Sequence, residues 1–117
     1  MNYREEVLKN VAGHVDTKED QLALAALGLA GETGEVVDLL KKHLFHAKPL
    51  DRENLIKELG DVRWYFELLC HLADTTIEEV ERKNVEKLHA RHPKGWTPES
   101  AAAKIDEEEE IERSQAW

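Results

Sequence analysis

Two acidic pairs with the same spacing are the part of this sequence best suited to chemistry. Glu32 and Glu35 form the first pair, and Glu58 and Asp61 form the second after twenty-two intervening residues. Side chains three residues apart lie on one face of an α-helix, one turn from each other. If two such helices pack antiparallel, the four carboxylates converge, and a divalent cation relieves their repulsion. Because Mg²⁺ is held by carboxylates together with substrate phosphates, the spacing favours a metal site for phosphate chemistry.

A simpler interpretation stays open, because Glu-x-x-Glu is common on the solvated faces of charged helices. The neighbouring residues favour the metal site instead. At about 100° per residue, Gly28 falls between the two acids of the first pair and Gly31 lies next to Glu35. These small residues would leave the acid face open to a helix, a metal or phosphates. Val62 borders the second pair, which places that pair at the edge of an apolar stripe.

Other metal patterns are weaker. His43 and His46, and His89 and His92, have an i, i+3 spacing that could bind a transition metal, but positions near helix ends favour surface histidines. A di-iron carboxylate bundle needs two Glu-x-x-His pairs, and the sequence offers one, at Glu86 and His89. There is no phosphate-binding loop ending in Lys-Ser or Lys-Thr.

Five further residues are candidates for substrate binding. Asn84, Lys87 and Arg91 share one helical face, where the cations could meet phosphate oxygens and the amide could hydrogen-bond a base or sugar. The alternative is a solvated face whose cations complement a helix C-terminus. Trp64 and Tyr65 follow the second acid pair, and either ring could stack on a nucleobase or pack in the core.

Caps and apolar periodicity predict an all-α fold, an antiparallel bundle of about four helices. The first two span about 3–12 and 18–46, with Asp16 or Thr17 as the second N-cap. The third follows Asp51, and the fourth ends at about residue 91. Apolar stripes are predicted to face the core at Leu22, Ala26, Leu29, Val36, Val37 and Leu40 on the second helix, and at Leu55, Leu59, Val62, Phe66, Leu69 and Ala73 on the third.

Length and charge bound the function. The chain has 117 residues, 41% hydrophobic and 35% charged, with a formal charge of −9. We expect one domain over 1–97, followed by an acidic tail or surface helix over 98–117. An acidic chain without a basic stripe argues against direct binding to duplex nucleic acid. A phosphate substrate remains compatible, because bound metals reverse the local charge.

Location and redox state follow from what the sequence lacks. No apolar run is long enough to span a bilayer, and the polar start MNYREEVLKN indicates no signal peptide. We therefore expect a cytoplasmic protein without a membrane partner. The single cysteine, Cys70, lies in an apolar stretch and is expected to be a core thiol.

Three stretches, taken in order, resemble the MazG-like all-α nucleoside triphosphate pyrophosphohydrolases. They are LGLAGETGEVVDLLKK, LIKELGDVRWYFELL and ERKNVEKLHARHPKGW. The family pattern is Glu-x-x-Glu, a variable spacer and Glu-x-x-Asp. The resemblance covers about residues 20–96, and it leaves out the first helix and the acidic tail.

The resemblance implies cleavage of a nucleoside triphosphate between its α- and β-phosphates, giving monophosphate and pyrophosphate. The four acids would hold Mg²⁺, for which Mn²⁺ could substitute, and Glu32 or Glu35 could act as general base. Lys87 and Arg91 would neutralise the phosphates. Family members pair as dimers or dimers of dimers, so a homodimer or homotetramer is expected.

The preferred base is not readable from the residues. The compact domain favours a deoxynucleotide substrate and a role in controlling or cleaning the nucleotide pool. The competing hypothesis is a non-catalytic helical module that binds a protein partner through the acidic run 107–110 and Trp117.

Overall fold

The structure, a computed structural model, describes residues 2–11 and 15–103. Its helices, in chain order, are α1 (Tyr3–Lys9), α2 (Lys18–Phe45), α3 (Arg52–Leu72), α4 (Ile77–Arg91) and α5 (Pro98–Ala103). The described residues form no strand, which confirms the all-α prediction. Within them, no helix combines the length and apolar character needed to cross a membrane. The acidic run and Trp117 lie outside the described residues.

Local capping chemistry sets most of the helix ends. The Thr17 hydroxyl accepts a hydrogen bond from the Asp20 amide at 3.1 Å, and the Asp51 carboxylate accepts one from the Asn54 amide at 3.0 Å. Both side chains thus pair amides that a helix start leaves without partners. At the end of α2, Ala47 takes a left-handed backbone with φ of 54°. The first helix is shorter than expected and ends at Lys9.

The chain divides into two compact units, Met1–Ile77 and Glu78–Trp117. The prediction of a single domain over 1–97 stays a prediction. In the first unit, α3 packs against both α2 and α1. The buried cluster contains Val7 and Val11 from the N-terminal segment, Ala25 from α2 and Leu68 from α3.

The predicted core stripes are partly wrong. Leu22, Val37 and Leu59 are between 40% and 59% exposed, and Ala26 and Ala73 are also exposed. Periodicity finds the apolar positions of a helix, but α2 and α3 bury only the sides that face each other or α1. Cys70 is buried as expected.

A charged network, not anticipated from the sequence, joins α1 to α3. The buried Glu67 carboxylate accepts hydrogen bonds from Arg4 Nε and Nη2 at 3.0 and 2.7 Å and from Arg63 Nη2 at 2.9 Å. Arg4 Nη2 also donates to the Thr75 carbonyl at 2.8 Å. Burial alone would raise the pKa of Glu67, but the two guanidinium groups hold that pKa below its usual value. The network ties α1 to the C-terminal end of α3.

In the second unit, a reciprocal capping pair starts α5. The Ser100 amide donates to the Thr97 hydroxyl and the Thr97 amide donates to the Ser100 hydroxyl, each at 3.0 Å. His92 Nδ1 also hydrogen-bonds the Ser100 hydroxyl. These contacts hold α5 beside the end of α4, where Gly95 takes a φ of +86°.

Candidate metal and nucleotide site

The packing of α2 against α3 is closest at Gly28. A methyl group added there would overlap the ring of Tyr65, so this ring lies directly on the α2 backbone. Gly28 therefore lets the neighbouring helix come close, as expected of a small residue on the acid face. Gly31 has nothing within 4 Å of the same test position. One turn further along α2 stands Glu32, and one turn back along α3 stands Asp61, so the contact at Gly28 brings these two acids to one level.

Three of the four predicted acids meet between the two helices. Glu32, Glu58 and Asp61 each offer a carboxylate oxygen, and these oxygens lie within 4.8 Å of one another. Glu32 and Glu58 are partly buried and Asp61 is exposed. Burial, and then the charges of Asp61, Glu58 and Glu35, raise the pKa of Glu32. A set of only oxygen donors fits Mg²⁺, and a cation there would relieve this repulsion.

The fourth acid, Glu35, lies outside that group of three. It lines a neighbouring cavity of about 260 Å³ between α2 and the start of α3, together with Glu58. Three residues rotate a helix by about 300°, so Glu35 is turned away from Glu32 by about one sixth of a circle. Glu58 therefore belongs both to the acid group and to this cavity.

The predicted aromatic pair lines a second cavity of about 260 Å³, on the other side of the acid group. Its walls are Glu32, Asp61, Trp64 and Tyr65. The Trp64 and Tyr65 rings meet edge to face, with centroids 4.9 Å apart at 75°. Trp64 also packs against the buried core. Core packing is thus confirmed for Trp64, and stacking of either ring on a nucleobase stays a prediction.

Basic residues that the sequence analysis did not single out line the first cavity. Lys42 Nζ lies 2.8 Å from the Asp38 carboxylate, and Lys48 makes no ion pair with any described residue. The Lys48 carbonyl lies 2.7 Å from His43 Nδ1. Because a carbonyl oxygen only accepts hydrogen bonds, Nδ1 is the donor in this contact. The Asp38 and Lys42 spacing of i, i+4 was a readable sign of this ion pair.

Asn84, Lys87 and Arg91 lie on α4, in the second unit. Asn84 and Lys87 are exposed and Arg91 is partly exposed, and their spacing places them on one face of the helix. Residues of the weaker metal patterns make other contacts. Glu86 pairs with Arg82 at 2.9 Å, and His43 hydrogen-bonds the Lys48 carbonyl. Among residues 2–11 and 15–103, the acid group is the one cluster of three metal-type side chains.

The match that decides the family covers this site. A family profile described as MazG nucleotide pyrophosphohydrolase domain matches residues 20–96, which include both acid pairs. The chain belongs to the MazG family. The gene 37 protein of Mycobacterium phage L5 is 35% identical to this MazG chain over 88 residues, covering 72% of the chain and 76% of the phage protein. No solved structure matches it significantly.

Proposed function

We propose that this chain is a Mg²⁺-dependent pyrophosphohydrolase that converts deoxynucleoside triphosphates to monophosphates and pyrophosphate. The observation that carries the proposal is the group of three carboxylates within 4.8 Å, inside a domain of the MazG family. Family membership supports a pyrophosphate-releasing hydrolase, and the acid group supports a divalent cation.

Glu32, Glu58 and Asp61 would hold the metal, and Glu35 stands next to them in the adjoining cavity. The metal would supply charge neutralisation for the phosphates and a more acidic water. Glu32 or Glu35 takes the proton from the attacking water, which adds to the α-phosphorus while the bond to the bridging oxygen breaks. The leaving group departs as pyrophosphate, and most of the rate comes from positioning and electrostatics.

The aromatic cavity supports a site for the nucleobase. Tyr65 and Trp64 present ring surface directly beside Glu32 and Asp61, and stacking on aromatic rings accepts any base. We assign Asn84, Lys87 and Arg91 to base, sugar and phosphate contacts on the strength of the family resemblance. A role in controlling or cleaning the nucleotide pool follows from the reaction.

The test is a panel of deoxynucleoside and ribonucleoside triphosphates with Mg²⁺, read out as released pyrophosphate. We expect release from at least one deoxynucleotide, and a loss of about a hundredfold or more in Glu58→Gln, because that acid belongs both to the acid group and to the neighbouring cavity. Glu53→Gln is the matched control, since Glu53 is a 79% exposed glutamate at the start of the same helix. No release from any triphosphate, or equal losses in the two variants, would refute the proposal.

We also propose that the chain forms a homodimer or homotetramer through the outer face of α2. This face consists of Ala23, Leu27, Ala30, Gly34, Val37 and Leu44. Leu27, Val37 and Leu44 are 74%, 59% and 67% exposed. Lys41 interrupts the face between Val37 and Leu44, and exposed apolar side chains grouped on one face mark an interaction site. Gly34 has open space around it in the single chain, which would let a second helix approach closely.

Sedimentation equilibrium tests this assembly. We expect Val37→Glu to give a monomer, because a charge in an apolar interface stays unpaired. Val85→Glu places the same charge at an exposed valine of α4 and should leave the assembly intact. A wild-type monomer, or dissociation by the Val85 change alone, would contradict this choice of surface.

A further inference from the structure

We propose that the cavity lined by Lys42 and Lys48 binds the diphosphate end of the substrate as its metal complex. The triphosphate would then run from the aromatic cavity, past the acid group, towards the connection between α2 and α3. This inference rests on the proposed hydrolysis and assigns a direction to the substrate within it.

The order of side chains along the two antiparallel helices carries the argument. From Gly28 to Lys42, α2 passes the tyrosine ring, then the acid group, then Glu35, and then Lys42, and Lys48 follows in the connection to α3. Glu58 belongs both to the acid group and to the lysine-lined cavity. The lysine-lined cavity therefore includes one member of the acid group, Glu58, and the aromatic cavity includes the other two, Glu32 and Asp61.

The size of the lysine-lined cavity suits part of a nucleotide. Its volume is about 260 Å³, below the range of roughly 300–1,000 Å³ for pockets that enclose a whole small-molecule ligand. Its lining contains no Phe, Tyr or Trp, and its one ring, the His43 imidazole, is engaged by the Lys48 carbonyl. A diphosphate needs only cationic and hydrogen-bonding partners.

The charges in this cavity point to a metal-bound phosphate. Asp38 is paired with Lys42 at 2.8 Å, and Asp51 is occupied in capping α3. Glu35, Glu58 and Lys48 remain without ion pairs to described residues, so the lining keeps an excess of negative charge. Free pyrophosphate would be repelled, whereas a cation near Glu35 and Glu58 makes the same cavity attractive to phosphate oxygens.

The reach of the two lysines fits the same placement. Lys42 stands seven residues beyond Glu35, about 10 Å along the helix axis. Its side chain leans back towards the start of α2, since its ammonium meets Asp38, one turn beyond Glu35. Lys48 also lines the cavity, and the bond between its carbonyl and His43 fixes its backbone there.

Calorimetric titration of the full chain with inorganic pyrophosphate tests the site without turnover. With Mg²⁺ present, we expect binding that weakens about tenfold for each of Lys42→Ala and Lys48→Ala, since each loses one charge-assisted contact. Lys41→Ala is the matched control, because Lys41 also faces Asp38, at 3.8 Å, but does not line the cavity. Arginine at 42 and 48 should restore binding. Circular dichroism confirms that each variant keeps its helices.

The direction of the substrate is tested by a crossed comparison with a deoxynucleoside monophosphate. Tyr65→Leu should weaken binding of the monophosphate and leave binding of pyrophosphate unchanged. Lys42→Ala and Lys48→Ala should weaken binding of pyrophosphate and leave binding of the monophosphate unchanged. A non-hydrolysable triphosphate should compete with pyrophosphate.

Unchanged pyrophosphate binding in the double lysine variant, equal binding without Mg²⁺, or simultaneous binding of triphosphate and pyrophosphate would overturn the inference. These results are independent of hydrolysis. If the wild-type protein hydrolyses triphosphates but gives one of these binding results, the proposed function stands and only the proposed diphosphate site is refuted. If no triphosphate is hydrolysed, the proposed function falls, and the substrate direction inferred from it falls as well.

Discussion

Gly28→Ala is the sharpest test of how α2 and α3 meet. In a helix, alanine is favoured over glycine by about 1 kcal/mol. At Gly28 the added methyl group would overlap three atoms of the Tyr65 ring, and overpacking of this kind costs about 1–3 kcal/mol. The ring is rigid, so either it leaves its rotamer or the helices separate. We expect a net loss of up to about 2 kcal/mol in the free energy of unfolding.

Gly31→Ala is the matched control on the same helix. Nothing lies within 4 Å of its added methyl group, so only the propensity remains and the variant should be stabilised by about 1 kcal/mol. Urea unfolding followed by circular dichroism should separate the two variants by the overpacking cost alone, about 1–3 kcal/mol.

The same substitution should affect substrate binding. Since Tyr65 lines the aromatic cavity beside Glu32 and Asp61, Gly28→Ala should raise KM for the triphosphate more than Gly31→Ala does. If both variants are stabilised alike, the Tyr65 ring does not lie on the α2 backbone and the reasoning is refuted.

Three further predictions concern stability and reactivity. Glu67→Gln should destabilise the chain by about 2 kcal/mol, below the 3–5 kcal/mol of a fully buried pair because both arginines reach water. Because the folded pKa of Glu67 lies below its ordinary 4.5, its contribution is complete above about pH 4.5 and is lost as the pH falls through the folded pKa. Wild type should therefore lose stability on acidification, and the variant should lose less; parallel acid curves would contradict this. Ala47→Gly should add about 0.5–1 kcal/mol, since glycine relieves the left-handed strain at 54°; an unchanged melting temperature would count against it. Burial, followed by the charge of Glu67, raises the pKa of Cys70, so its thiol should react with a disulfide reagent only after unfolding, and rapid labelling of native protein would disprove its burial.

Local signals predicted much of this molecule. Thr17 and Asp51 cap helices within three residues of themselves, so the sequence alone locates those ends. The two acid pairs also needed only helical spacing and a short connection to be placed together. Glu35 was expected in the same group, but its position depends on how far each helix is rotated about its axis.

Contacts between distant residues were not predictable in this way. Gly28 could be placed on the acid face, but the ring that covers it comes from the axial offset of α3. The pairing of Arg4 with Glu67 spans 63 residues, and no local sequence pattern predicts it. Lys48 belongs to no motif in the sequence, because the cavity that it lines exists only once α2 and α3 are folded together.

The position of α1 has a practical consequence for work on this family. The residues that define the family begin at position 20, yet the folding unit of this chain begins before them. A fragment trimmed to the family boundary would lose Val7 and Val11 from the core around Leu68. It would also leave Glu67 with a single arginine partner. In this chain the boundary recognised by sequence comparison cuts through the hydrophobic core, so an inactive or insoluble fragment would say nothing about the chemistry of its acids.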